Sequence, residues 1–174
     1  MKKKSVISLV SYDASYLPES IKRYYNYVDE IILGLDKNRK TWSGNSFSFN
    51  ESQLWSELNA IDGDSKISII EEDFVKGEVA IENDNYERNF LKSNCSNDWI
   101  FSFDADEWLI NPKEFFYDFC PLVERYYTKA DICMTWATPY KTIDDTTLVI
   151  ANEDDTPFFG ENQGIVTSDD STFV

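Results

Sequence analysis

Short apolar runs that alternate with stretches of helical periodicity constrain this chain more than any other feature. Residues 6–10, Val6-Ile7-Ser8-Leu9-Val10, read as a buried first strand. Pro18 and Glu19 suit a first helical turn, and Leu17, Ile21, Tyr24, Tyr25 and Val28 follow at helical spacing. Residues 30–35 form the second apolar run, ending at Asp36, and 37–49 is a polar loop. Asn50 with Gln53 is a capping-box pattern ahead of a face of Leu54, Trp55, Leu58 and Ile61, which Asp62-Gly63 stops. A third strand is expected over 66–70, running into Glu71-Glu72-Asp73. A helix over 83–95 is expected to carry Tyr86, Phe90 and Leu91 inward. The fourth strand, 99–103, delivers Asp104.

Asn111-Pro112-Lys113-Glu114 reads as cap, proline and acid at a helix start. Phe115, Phe116, Phe119, Leu122 and Val123 should line that helix, and Pro121 should kink or end it. Strands are expected over 130–138 and 147–151. Residues 1–151 thus read as one ligand-binding domain, and 152–174 as an acidic C-terminal segment without an assigned structure. The chain ends without a helix to cover its late strands, as a piece of a longer protein would. Strands alternating with helices imply βαβ units and a mostly parallel sheet covered on both faces. Such sheets bind ligands beyond the carboxyl ends of their strands, which directs attention to Tyr12, Asp13, Asp36, Asp73, Asp104 and Asp106.

The formal net charge of −16 disfavours nucleic acid and anionic lipid as partners. It also means that an anionic ligand needs local help from a cation. The chain contains no histidine, which excludes Ser-His and Cys-His nucleophiles. Cys95, Cys120 and Cys133 form no CxxC pair and read as reduced, buried core thiols of a cytoplasmic protein. The apolar run after Lys2-Lys3-Lys4 is too short for a secretory signal, and no run approaches the length of a membrane span.

Asp104-Ala105-Asp106 places two carboxylates at one strand end. Hard divalent ions such as Mg²⁺ and Mn²⁺ take such oxygen ligands and retain waters and substrate phosphates. An ion held by Asp104 and Asp106 would bridge the phosphates of a sugar nucleotide and stabilise the departing diphosphate. The same pattern is also that of an ordinary solvated turn.

The order of these motifs resembles the family 2-type glycosyltransferases of GT-A fold. The resemblance spans roughly residues 5–140. It is carried by the first strand running into Ser11-Tyr12-Asp13, by Leu33-Gly34-Leu35-Asp36, by Asn85-Tyr86-Glu87-Arg88-Asn89 and by Asp104-Ala105-Asp106. It implies a GT-A-like, Rossmann-like α/β/α sandwich that binds a nucleotide-diphosphate sugar, a UDP-sugar by preference, and transfers the sugar to a saccharide or other hydroxyl acceptor. It further implies that Tyr12 and Asp13 line the base pocket, that Asp36 contacts the nucleoside, and that Asp73 and Arg88 lie near the nucleotide. Asp104 and Asp106 would be the catalytic metal ligands. Each position also has a plain structural reading. Asp36 can start a loop, Asp73 can belong to a solvated acidic turn, Arg88 can pair with Asp84 four residues before it, and Tyr12 can be core.

Two departures stand out. Family members often supply a later histidine as a metal ligand, and this chain has none. A catalytic carboxylate on the acceptor side would have to come from residues 107–174, where Glu153, Asp154, Asp155 and Glu161 are the candidates. Two alternatives follow: a noncatalytic or truncated nucleotide-sugar-binding domain, and a Mg²⁺-dependent phosphatase of haloacid-dehalogenase type, in which a D-x-D would follow the first strand rather than the fourth.

Overall fold

The computed structural model of the chain describes residues 2–127, 130–135, 137–143, 146–154, 156, 158 and 163–168. Strand β1 (Lys4–Val10) is buried along its whole length, between β2 (Glu30–Asp36) and β4 (Trp99–Ser102). Strand β3 (Ile67–Glu72) adds parallel to β2 at the edge. Beyond β4 the sheet continues with β8 (Gln163–Ser168) and then β5 (Ile132–Met134), giving the order β3-β2-β1-β4-β8-β5. Strand β8 is antiparallel to both its neighbours, so the other five strands share one direction. Strands β6 (Pro139–Ile143) and β7 (Thr146–Val149) form a separate antiparallel pair.

The period-two alternation of side chains explains the layers. Val6 and Val10 of β1, with Ile31, Leu33 and Leu35 of β2, face a cluster that includes Leu17, Ile21 and Tyr24 of α1 (Leu17–Tyr24) and Leu54 and Leu58 of α2 (Glu51–Ile61). Ile7, Leu9, Ile32 and Ile100 point the other way, onto Phe74 and Leu91, the latter on α3 (Ala80–Ser93). The result is the expected α/β/α sandwich around a mostly parallel sheet. Among the described residues, no helix is long and apolar enough to cross a membrane.

Several local expectations hold. Asn50 accepts from the Gln53 amide and caps α2. Asp62 stops that helix, and its carboxylate then accepts from the Tyr25 hydroxyl and from the Lys66 and Ile67 amides. Others need correction. Helix α3 starts earlier than expected, and the stripe facing the sheet is Asn83, Glu87 and Leu91, while Tyr86 is exposed and packs on Phe74 and Phe90. Asn111 precedes α4 (Pro112–Glu114) in a left-handed conformation, and its side chain makes no capping bond. Pro121 does not end the helix. A π-helical turn, Phe115–Phe119, leads into α5 (Cys120–Tyr126), which contains it. A π turn carries more residues per turn and rotates the buried face, so Cys120 is inside while Phe119 and Leu122 are exposed. Of the three thiols only Cys120 is buried; Cys133 is exposed. Within the segment left unassigned by sequence, β8 is a member of the central sheet.

Candidate functional site

Beyond the carboxyl ends of β1, β2 and β4 lies a cleft of about 660 Å³. Three chain segments and one helix build it. Residues Leu9 to Asp13 leave β1, and Asp36 leaves β2. Lys40 to Ser48 of the following loop form one wall, and Asp104 to Asp106 leave β4. Helix α3 contributes Glu87.

The turn after β4 closes on itself. The Glu107 amide donates to the Asp104 carbonyl at 3.1 Å, and Glu107 Oε2 accepts from the Asp104 amide at 3.0 Å. Ala105 is buried beneath the turn, and Asp106 is exposed toward the cleft. Asp104 is held from below: Arg88 Nη2 donates to both of its carboxylate oxygens, at 2.8 and 3.0 Å. The same guanidinium donates to Asp84 Oδ1 at 2.6 Å and to Ser102 Oγ at 2.5 Å, and lies 5.6 Å from the centre of the Trp42 ring. Burial alone would lower the Arg88 pKa, but Asp104 and Asp84 outweigh it and the pKa rises. Arg88 is therefore a fixed cation that orients Asp104.

Burial raises the Asp13 pKa, and Asp106 and Asp104 push it further up. Its Oδ1 is buried and accepts no hydrogen bond among the described residues. Glu107 rises to about 7, mainly by burial and then by its proximity to Asp104. Asp13, Asp104 and Asp106 thus crowd one end of the cleft, with Glu107 behind the lining. Among the described residues, no three acids are grouped closely enough to enclose a metal ion. One or two carboxylates with open positions left for phosphate oxygens is nonetheless the usual arrangement for Mg²⁺. The hard oxygens of Asp104 and Asp106, beside the unpartnered Asp13 Oδ1, fit that chemistry.

At the other end, Asp36 is buried and fully engaged by backbone. Its Oδ1 accepts from the Asn38 and Lys40 amides at 2.9 and 3.1 Å, and its Oδ2 from the Phe74 amide at 2.9 Å. Tyr12 stands 73% exposed on the cleft wall rather than in the core. The structure therefore brings Tyr12, Asp13, Asp36, Asp104 and Asp106 to one cleft, with Arg88 directly behind Asp104. Asp73 is not among the lining residues; its amide donates to Glu72 Oε1. Glu153 and Asp154 lie in an exposed turn away from the lining, and Asp154 accepts from Thr156. Asp155 and Glu161 fall outside the described residues.

The sequence marked neither Trp42 nor Asn83, and Glu87 only as a member of the 85–89 motif, with no role of its own. Asn83 Nδ2 donates to the Trp42 carbonyl, and Trp42 Nε1 donates to Glu87 Oε2 at 2.8 Å, so α3 clasps the loop that walls the cleft. A signal was present: Asn83, Glu87 and Leu91 recur every four residues on one stripe, and polar groups on a sheet-facing stripe are unusual.

No family model and no curated protein matches the chain. Among solved structures it is similar in fold to 4-diphosphocytidyl-2C-methyl-D-erythritol synthase from Anaerococcus prevotii, with a TM-score of 0.54 at 14% identity, over 97% of this chain and 72% of that one. Weaker likenesses are to S. aureus TarS 1-349 (TM-score 0.48, 15% identity, 73% of this chain and 33% of that one) and to CMP:2-keto-3-deoxy-manno-octonic acid synthetase complexed with CTP (0.44, 13%, 97% and 75%). At 14% identity the likeness to the Anaerococcus prevotii protein concerns the fold alone.

Proposed function

We propose that this chain is a glycosyltransferase domain that moves a sugar from a nucleotide-diphosphate donor, a UDP-sugar by resemblance, to a hydroxyl acceptor such as a saccharide. The observation that carries the reading is the turn after β4. Asp106 is exposed to the cleft, Asp104 is fixed by Arg88, and Asp13 Oδ1 is buried beside them without a partner.

Charge decides how a diphosphate is accepted. Two like unit charges about 4 Å apart repel by about 4 kcal/mol near a protein surface. Among the described residues, Lys40 is the only Lys or Arg in the cleft lining, and Arg88 is already shared between Asp84 and Asp104. These groups do not offset three carboxylates. Asp104 and Asp106 would hold a Mg²⁺ or Mn²⁺ ion, which when bound neutralises the diphosphate and eases its departure. The protein's own part is positional. Arg88 keeps Asp104 in one rotamer, Tyr12 offers a ring on the wall, and the loop clasped by α3 excludes water from one side.

Calorimetric titration of UDP into wild type, Asp104→Asn and Asp106→Asn, with and without Mn²⁺, tests the reading. Tighter binding with Mn²⁺ is expected in the wild type, with most of that gain lost in Asp106→Asn. Equal affinity under all six conditions would refute it. Nucleotidyl transfer is the second reading, favoured by the likeness to the 4-diphosphocytidyl-2C-methyl-D-erythritol synthase. Incubation of nucleotide sugars with saccharide acceptors and, separately, of CTP with sugar or polyol phosphates separates the two, by whether nucleoside diphosphate or pyrophosphate is released.

A further inference from the structure

The end of the cleft away from Asp106 contains one carboxylate that the proposed chemistry does not use. Glu87 lies on α3, is only 5% exposed, and lines the cleft. Its Oε2 accepts from Trp42 Nε1, and its Oε1 accepts no hydrogen bond among the described residues. The side chain packs directly over β2: a Cβ added to Gly34 would come within 2.7 Å of Oε1. Asp36, the other acid at this end, already has both oxygens occupied by backbone amides. Glu87 is therefore the carboxylate left here with an oxygen that accepts from no described residue and, since Glu87 lines the cleft, is open to a ligand's donor.

The sheet sets the scale. Adjacent strands lie about 4.8 Å apart, so β2 and β4, one on each side of β1, are about 10 Å apart. A nucleotide with its phosphates at the Asp104–Asp106 turn spans that distance with its ribose and base. The loop that forms the wall here offers the uncharged Thr41, Trp42, Ser43 and Asn45, with one cation, Lys40, beside the amide-filled Asp36. Such walls suit a neutral heterocycle better than a phosphate.

We propose that Glu87 reads the nucleobase, its Oε1 accepting a hydrogen bond from an N–H on the pairing edge, and so sets the base preference of the domain. Trp42 is its positioning residue, because the indole N–H fixes Oε2 and leaves Oε1 to the ligand. This inference rests on the nucleotide reading above.

The test is a titration of UDP, CDP, GDP, ADP and base-free pyrophosphate, with Mn²⁺ present, into wild type, Glu87→Gln and Trp42→Phe, at about pH 8.5, where the Glu87 carboxyl, raised by burial to about 7, is ionised and Oε1 can accept. Glutamine preserves size and can still accept from Trp42, but then turns an N–H₂ toward the base where an acceptor stood. The base preferred by the wild type should lose roughly tenfold or more in affinity, the value of one hydrogen bond to a charged group. The order of bases should change, and pyrophosphate should bind as before. Trp42→Phe should narrow the spread between bases while leaving pyrophosphate unaffected. An unchanged order in a folded Glu87→Gln protein would overturn the inference, as would a uniform loss that includes pyrophosphate. Should Glu87→Gln not fold, a wild type that binds all four bases equally overturns it too. A wild type that binds no nucleotide defeats the proposed function itself, which distinguishes the two failures.

Discussion

Asp36, the last residue of β2, and Asp106, just past β4, lie at carboxyl ends of strands in the same mostly parallel sheet and line the same cleft, yet their surroundings differ completely. Asp36 is buried, and three backbone amides fill its carboxylate, so it ties the β2 end to the loop after it and to Phe74. Asp106 is exposed, on a turn that is stabilised instead by Glu107 and by the burial of Ala105. An acid after a strand is thus a building element when backbone donors saturate it, and is free for a ligand when its neighbours hold the turn for it.

The strongest way to break this contrast is Asp36→Ala. It leaves three amide donors, including the buried Phe74 amide, without their acceptor, and should cost about 3–5 kcal/mol in denaturant unfolding. A loss under about 1 kcal/mol would show that Asp36 does not hold the loop. Next is Gly34→Ala. The new methyl would stand 2.7 Å from both Glu87 Oε1 and Leu91 Cδ1, so those buried side-chain ends must move aside, at a cost of about 1–3 kcal/mol. Because Glu87 is one of them, nucleotide affinity should fall with stability; an unchanged melting temperature would contradict the close packing of α3 on β2.

A smaller effect concerns pH. Burial raises the Glu87 pKa to about 7; the Trp42 bond and Arg88 pull it down, while Asp84 and Asp36 push it up. Between about pH 4.5 and 7 the folded protein keeps a proton here that the unfolded chain has released, so this group's contribution to stability declines as pH rises through that window. Glu87→Gln removes the titration. Its stability relative to wild type should therefore improve by roughly 1–2 kcal/mol on going from pH 5 to pH 7.5. Thermal melts of both proteins across that range check the sign. The smallest effect sharpens the comparison from the other side: Asp106→Asn should alter stability by no more than about 0.5 kcal/mol, as expected of an exposed side chain, while removing the metal-dependent gain in nucleotide affinity.

Much of this architecture is legible before any tertiary information. Residues 6–10, 30–35 and 99–103 are apolar enough to announce buried parallel strands, and Asn50, Gln53 and Asp62 mark the ends of α2 by local hydrogen bonding. Local signals end where pairing becomes distant. Strand β8 sits between β4 and β5, and nothing within residues 163–168 names those partners. The π turn at Phe115–Phe119 likewise moves the buried face by one position, which a regular 3.6-residue period cannot anticipate.

The candidate site divides in the same way. By itself the sequence determined that acids would cluster past the strand ends, because a parallel sheet sends every strand's carboxyl end to one edge and this chain puts Tyr12, Asp13, Asp36, Asp104 and Asp106 there. Only the tertiary structure decided which of them remain available. Whether a carboxylate is filled by amides, as Asp36 is, gripped by a buried guanidinium, as Asp104 is, or left with a vacant oxygen, as Asp13 and Glu87 are, depends on donors brought from elsewhere in the chain. For Asp104 and Glu87 the donors are Arg88 and Trp42, and for Asp36 one of them is Phe74. Hydrogen bonding acts over about 3 Å, and folding, not sequence neighbourhood, sets which groups come that close.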